Sequence, residues 1–179
     1  MIAELGHFAL WLALATCLAQ ALLPVLGYAR GDARLMQMGI SGAQTQFALI
    51  VIAYALLTTA FVQNDFSLAY VAGNSHTELP LIYRISAVWG AHEGSLLLWM
   101  LMLSGWGAAV SVFNARLPRE ITALVLATLG AISIGFLLFL LLTSNPFDRL
   151  FPIPLQGRDL NPLLQDPGLI VHPPLLYMG

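Results

Sequence analysis

Long apolar stretches alternate with polar segments along the chain. Four of these stretches are long enough to cross a membrane as helices, since a hydrocarbon core of about 30 Å takes roughly 20 helical residues. They lie at about Leu5–Tyr28, Met38–Val62, Gly94–Phe113 and Ile121–Thr143. A fifth apolar run begins at Pro173 and is short in the sequence given. The pattern predicts four full spans and the start of a fifth.

The segments between the spans differ in length. Two are short, whereas the loops at residues 63–93 and 144–172 are long and polar. Because the fifth apolar run is not followed by a closing polar segment, we expect residues 1–179 to be the amino-terminal transmembrane segment of a larger protein.

The arginines predict the orientation of these loops, because cytoplasmic loops of membrane proteins carry an excess of positive charge. The amino terminus has no arginine, and each long loop contains more acidic than basic side chains. Each short loop carries two arginines: Arg30 and Arg34, then Arg116 and Arg119. The sequence thus predicts an all-α integral membrane protein, a polytopic helical bundle with its amino terminus and both long loops outside.

Composition agrees with this architecture. Hydrophobic residues make up 59% of the chain and charged residues 9%, against roughly 45–50% and about 25% in soluble domains. The net charge is −2 and there is no lysine, so nothing favours nucleic-acid binding. Cys17 is the only cysteine, which excludes an internal disulfide, a Cys-x-x-Cys pair and a Cys-x-x-Cys-His haem attachment site within this sequence.

The interiors of the predicted spans lack acidic side chains, lysine and arginine. Transporters and proton pumps usually place charged groups at mid-membrane. This pattern disfavours a charge-coupled transport pathway, although it does not disfavour passive movement of an apolar cofactor.

A proline-rich loop precedes the fifth apolar run. Seven of the ten prolines lie between Pro146 and Pro174. Pro173 biases His172 towards an extended backbone, and the two adjacent prolines suit the first turn of a helix. We therefore expect His172 at the start of the fifth helix, at the water–lipid boundary, where the positive helix end favours neutral imidazole. From the residues alone, both an incidental interfacial histidine and a metal ligand remain open.

A second informative stretch covers residues 79–99. Pro80 fits the first turn of a short helix, and His92 and Glu93 come at the mouth of the third span. The pair is not a zinc-protease signature, because Leu96 stands where a second histidine is required. We expect His92 to make a structural hydrogen bond or to support a nearby site, with Glu93 fixing its tautomer. Of the other histidines, His7 is predicted to anchor the first span at the interface, and His76 to be exposed to solvent.

Two motifs resemble the CcmF-type haem lyase subunits of bacterial cytochrome c maturation. These motifs are Trp89-Gly-Ala-His-Glu-Gly-Ser-Leu-Leu-Leu-Trp99 and Leu163-Leu-Gln-Asp-Pro-Gly-Leu-Ile-Val-His-Pro-Pro-Leu-Leu-Tyr-Met-Gly179. The resemblance runs through the whole chain. It places the sequence in the wider haem-handling group with a tryptophan-rich signature, the WWD family.

The resemblance implies a multi-pass protein of the bacterial inner membrane with its functional loops facing the periplasm. Such a subunit receives haem b from the chaperone CcmE, works with CcmH/CcmI-type subunits, and joins the haem vinyl groups to apocytochrome c. His172 matches the first of two external histidines implicated as axial ligands to the haem iron. Outside cations could meet the haem propionates, and we assign Arg84 and Arg158 to this role. His92 and Glu93 are assigned to support the same site.

The sequence also departs from the family pattern. It contains neither the tryptophan-rich motif, nor the second external histidine, nor the membrane histidines that the family assigns to a stable haem b. It therefore supplies at most half of one haem site. A haem exporter without ligation activity and a non-catalytic membrane scaffold are the alternative functions.

Overall fold

The computed structural model describes residues 1–178, without the side chain of residue 163. Within that range the regular structure is helical, apart from an isolated bridge between Leu68 and Arg149. The α-helices are α1 Ile2–Arg30, α2 Ala33–Gln63, α3 Ala69–Asn74, α4 Leu81–Ala87, α5 His92–Val112, α6 Arg119–Leu142 and α7 Pro167–Met178. Short 3-10 turns cover Asn114–Arg116 and Pro162–Gln165.

The all-α prediction and the four long apolar helices are confirmed. Helices α1, α2, α5 and α6 are each long and apolar enough to cross a membrane, and each begins within five residues of its predicted start. The α1–α2 turn is tight because Gly31 takes a left-handed backbone (φ 66°) and the Asp32 carboxylate accepts hydrogen bonds from the N–H groups of Arg34 and Leu35.

The four long helices pack through small side chains and interhelical hydrogen bonds. The Gln46 amide donates to the Ser133 hydroxyl at 2.8 Å, and the Gln20 amide donates to the Leu126 carbonyl at 2.9 Å. Both glutamines are buried. In an apolar surrounding, such bonds hold neighbouring helices together without charge, so these polar residues of the spans have structural partners.

The amino terminus and both long loops meet at one end of the bundle, here called the loop end. The Ala69 N–H donates to the Asp148 carbonyl, and the Leu150 N–H donates to the Ser67 carbonyl, each at 2.9 Å. The Arg149 guanidinium donates to the Glu4 carboxylate. The sequence predicts this common end; that it faces the periplasm stays a prediction.

The fifth helix begins earlier than the sequence predicts. Helix α7 starts at Pro167 rather than at Pro173, so His172 lies inside the helix and not before it. The reason is the cap: the Asp166 carboxylate accepts hydrogen bonds from the N–H groups of Gly168 and Leu169 at 2.8 and 3.3 Å. An aspartate cap followed by proline at the first helical position is a strong start signal, and it outweighs the bias that Pro173 puts on the preceding residue.

Candidate functional site

Helix α7 lies against the bundle with one side only. Ile170, Pro173, Pro174 and Tyr177 are half-buried, whereas Leu169, His172 and Leu176 are exposed. Successive helical residues are turned by about 100°, so side chains three or four apart share a face. Half-buried positions 170, 174 and 177 follow this spacing, and His172 projects from the opposite face.

The His172 side chain is available for binding. It is exposed, and within residues 1–178 its imidazole has no hydrogen-bond or ion-pair partner. Its neighbours on the free face, Leu169 and Leu176, are apolar. An unpartnered imidazole beside apolar side chains fits a flat apolar ligand that needs one nitrogen donor. No group of three or more metal-binding side chains forms in the described part of the chain.

The two motifs that carry the family resemblance are in direct contact. The indole N–H of Trp89 donates to the backbone carbonyl of Ile170 at 3.0 Å. The donor precedes α5, and the acceptor lies in the first turn of α7. This hydrogen bond joins residues 81 apart in the sequence, and nothing in either motif predicts it.

A ring stack holds the other end of α7. The Trp99 and Tyr177 rings are parallel within 11° and their centroids are 5.6 Å apart. Phe136 of α6 meets Trp99 edge-on, with centroids 4.9 Å apart. Helix α7 is thus held at two positions seven residues apart on the same face, by Trp89 before α5 and by Trp99 within α5.

The predicted supporting pair, His92 and Glu93, opens α5. The His92 Nδ1 atom lies 2.9 Å from the Ser144 hydroxyl, and the imidazole meets Phe139 edge-on at 5.6 Å. His92 therefore has the structural hydrogen bond that the sequence predicts, and it comes from the second long loop. Glu93 is half-buried in the first turn of α5. That these two residues support a haem site stays a prediction.

The turn between α4 and α5, residues 88–91, is built around the buried hydroxyl of Tyr70. This hydroxyl donates to the Val88 carbonyl at 2.9 Å and accepts from the Ala91 N–H at 3.3 Å. Burial raises the pKa of Tyr70 well above its ordinary value, so the hydroxyl stays a donor. Tyr70 could not be identified from the sequence, because it lies in α3, outside both motifs.

Gly94 is required where α5 packs against this turn. A Cβ atom at Gly94 would lie 1.6 Å from the Val88 carbonyl oxygen and 2.5 Å from the Tyr70 hydroxyl. Only glycine allows this approach. Its place directly after His92 and Glu93 in the first motif is the signal that could have identified it.

Arg84, predicted as a propionate contact, is used inside its own loop. Its guanidinium donates to the carbonyls of Thr77, Leu79 and Val62, at 2.6, 2.7 and 3.4 Å. These bonds tie α4 to the end of α2. They give Arg84 a structural role that the sequence does not reveal, and a contact with propionate would compete with them.

Arg158 has a different environment. Its side chain is exposed, and its backbone N–H donates to the Ala72 carbonyl at 2.7 Å. It lines a cavity of about 310 Å³ between the two long loops, together with Gly73 and Gln156. The backbone bond fixes its position at the loop end while the guanidinium faces solvent.

The remaining two histidines have local partners. The His76 Nε2 atom lies 3.2 Å from the Asp159 carboxylate, and its Nδ1 accepts from the Glu78 N–H at 3.1 Å. His76 is thus half-buried between the two long loops, whereas the sequence predicts solvent exposure. The His7 ring stacks on Trp11 and accepts its indole N–H at 2.6 Å.

Comparisons with known proteins agree with the family resemblance of the two motifs. The family model described as "Cytochrome C assembly protein" matches residues 89–179. Over the full chain, the sequence is 60% identical to a Pseudomonas aeruginosa protein and 56% identical to an Escherichia coli K12 protein, both named "Cytochrome c-type biogenesis protein CcmF". The fold is similar to a solved "Cytochrome c Heme Lyase CcmF", with a TM-score of 0.82, 30% identity and 99% of this chain covered.

This chain spans little more than a quarter of the length of the relatives it matches. They cover 99–100% of this chain but only 27% of the Pseudomonas aeruginosa protein, 28% of the Escherichia coli protein and 28% of the solved chain. The family match begins at Trp89 and includes His172, so both motifs of the candidate site lie inside it. Gly179, the last residue of the second motif, lies outside the described residues.

Proposed function

The chain belongs to the cytochrome c assembly protein family, and on this premise we propose that it is a membrane subunit of a haem lyase. The proposed activity attaches haem covalently to apocytochrome c on the outer face of the bacterial inner membrane. His172 holds the substrate haem by donating an imidazole nitrogen to its iron. The observation that carries this proposal is the exposed, unpartnered His172 on the free face of α7.

The chemistry of the free face suits haem. Neutral imidazole is a common axial ligand of haem iron. Leu169 and Leu176 offer apolar surface to a porphyrin, and the loop end offers water to the propionates. Arg158 is the exposed cation at that end that we propose for a propionate contact. We propose a propionate contact for Arg84 as well. To make it, the Arg84 guanidinium would have to give up hydrogen bonds to backbone carbonyls of its loop.

The reaction needs positioning more than an acid or a base from this chain. Each cysteine S–H adds across a haem vinyl C=C bond: the sulfur forms the C–S bond and the proton ends on the other vinyl carbon, so no external oxidant or reductant enters the balance. Holding haem and thiol together contributes much of the rate in such reactions. The proposed contribution of His172 is therefore to fix the haem while the apocytochrome presents its Cys-x-x-Cys-His segment.

The proposed partners follow from the family resemblance. CcmE would supply haem b, apocytochrome c would receive it, and CcmH/CcmI-type subunits would assist. We also propose that a stable haem b belongs to the complete protein rather than to these residues.

The decisive experiment replaces the ligand in the complete protein. We expect His172→Ala to lower the yield of holocytochrome c at least 10-fold at an equal amount of membrane protein. Added imidazole should restore part of the yield, because it can occupy the vacated coordination position. The matched control is Val171→Ala, which trims an exposed side chain of α7 that has no part in the proposed haem contact and should stay within about 2-fold of the parent.

Three outcomes would argue against the proposal. A normal yield of holocytochrome c with His172→Ala would show that His172 is not the haem ligand. A loss that imidazole does not relieve, equal to the loss in the control, would indicate a scaffold. Haem movement into vesicles that depends on His172 without apocytochrome would favour a haem exporter.

A further inference from the structure

We propose that Trp89 is a positioning residue for His172, and that it acts by binding the backbone carbonyl that Pro174 leaves free. The inference rests on the proposed role of His172 in haem binding. The hydrogen bond itself and its effect on α7 can be tested without haem.

Two prolines inside α7, Pro173 and Pro174, interrupt its internal hydrogen bonding. In an α-helix each N–H donates to the carbonyl four residues earlier, and proline has no N–H. Pro174 therefore cannot donate to Ile170. A carbonyl without a partner near the membrane is costly, and a neighbouring side chain usually supplies the missing donor.

Trp89 supplies that donor. Its indole N–H lies 3.0 Å from the Ile170 oxygen, and its side chain is half-buried against the apolar core of the bundle. Because the ring is held by packing, the direction of its N–H is fixed. The first motif thus meets the second at the one carbonyl that Pro174 exposes.

The contact sets the direction in which His172 points. Ile170 and His172 are two residues apart, which corresponds to a rotation of about 200° along an α-helix. Holding the Ile170 carbonyl against Trp89 therefore turns His172 away from the bundle. The Trp99–Tyr177 stack is on the same face seven residues after Ile170, so α7 cannot rotate about the first contact alone.

Hydrogen–deuterium exchange of the complete protein tests the contact directly. Trp89→Phe keeps an aromatic ring and removes only the N–H donor. We expect exchange in the peptide covering residues 167–178 to become about 3- to 10-fold faster, the factor that corresponds to one hydrogen bond. Trp106→Phe is the matched control, because it changes an exposed tryptophan of α5 that makes no hydrogen bond in the described part of the chain.

The role of the proline is tested by a double-mutant cycle. Pro174→Ala restores an N–H that can donate to Ile170 within the helix. In this background Trp89→Phe should change exchange less than 2-fold, because the carbonyl no longer depends on the indole. Holocytochrome c yield should follow: lowered by Trp89→Phe, and recovered in the double variant.

Each result decides the matter. Unchanged exchange in Trp89→Phe, or the same acceleration with and without Pro174→Ala, would overturn the proposal. If Trp89→Phe does not accumulate in the membrane, its recovery by Pro174→Ala supports the proposal and failure to recover overturns it. A wrong assignment of His172 as haem ligand would instead leave these exchange rates as expected and the His172→Ala yield normal.

Discussion

The α4–α5 turn and helix α7 carry the two motifs of the candidate site, but they are stabilised in opposite ways. Val88 of the turn is buried and the three residues after it are half-buried, and the Tyr70 hydroxyl bonds to both ends of the turn. Helix α7 has no buried residue among those described, and it is held by the hydrogen bond from Trp89 of the turn and by the ring stack on Trp99 of α5. The first region is fixed by packing, whereas the second is a surface helix held at two positions.

This difference suggests a division of roles. Backbone groups in a crowded turn leave little freedom, so the turn can act as a rigid support. Helix α7 leaves a free face to which a ligand has access. A side chain on this face, such as the proposed ligand His172, is accessible to a large substrate and is still directed by the support beneath it.

The largest expected loss of stability comes from Gly94→Ala, which changes the contact between α5 and the α4–α5 turn. The added Cβ would overlap the Val88 carbonyl, which is backbone and cannot swing away, so we expect a loss of about 3 kcal/mol in unfolding free energy. Thermal or detergent-induced unfolding of the purified complete protein measures this loss.

Gly135→Ala is the control for Gly94→Ala, because a Cβ at Gly135 meets nothing within 4 Å. Equal stability of the Gly94→Ala variant and this control would show that the turn is not the rigid support described above.

A smaller perturbation of the same region is Tyr70→Phe. It keeps the ring and leaves the Val88 carbonyl and Ala91 N–H without their buried partner, at an expected cost of about 2 kcal/mol. Because burial raises the pKa of Tyr70, its contribution should be constant below about pH 10 and decline at higher pH, where the unfolded state ionises first.

Tyr83→Phe is the control for Tyr70→Phe, since the Tyr83 hydroxyl has no hydrogen bond in the described part of the chain. Unfolding measured across pH 7–11 compares the two variants. A Tyr70→Phe variant as stable as the parent at pH 7 would contradict the prediction.

The smallest expected effect tests the surface helix. Asp166→Ala removes the carboxylate that caps α7 and should cost about 1 kcal/mol. We expect the first-turn amides of α7 to exchange faster while those of the α4–α5 turn do not change. Asp148→Ala, which removes an exposed carboxylate from the same loop, is the comparison, and equal exchange in both variants would argue against the cap.

Much of the fold could be predicted because apolar length is a local property. The four spans follow from their hydrophobic runs, and the loop end follows from the arginines of the short loops. The start of α7 differs from the prediction because the Asp166 cap outweighs the bias that Pro173 puts on His172. Both the cap and the proline are local signals. The sequence pattern does not show which of them sets the helix start, because that depends on the hydrogen bonds each allows.

The candidate site was predicted in part. His172 and His92 stand out in the sequence because of their positions beside membrane boundaries. Tyr70, Gly94 and the Trp89–Ile170 contact do not, since each acts through a residue in another element. The role of Arg84 was also hidden, because its three acceptors are backbone carbonyls and not charged residues.

By itself, the sequence determined an all-helical membrane protein with two long loops and a histidine near the fifth apolar run, because hydrophobicity, charge and proline act over short stretches. Only the tertiary structure decided that this histidine lies within a helix, which face carries it, and which tryptophan holds that helix. Those features depend on where distant backbone groups meet, and a carbonyl released by proline acquires its partner only after the helices have packed.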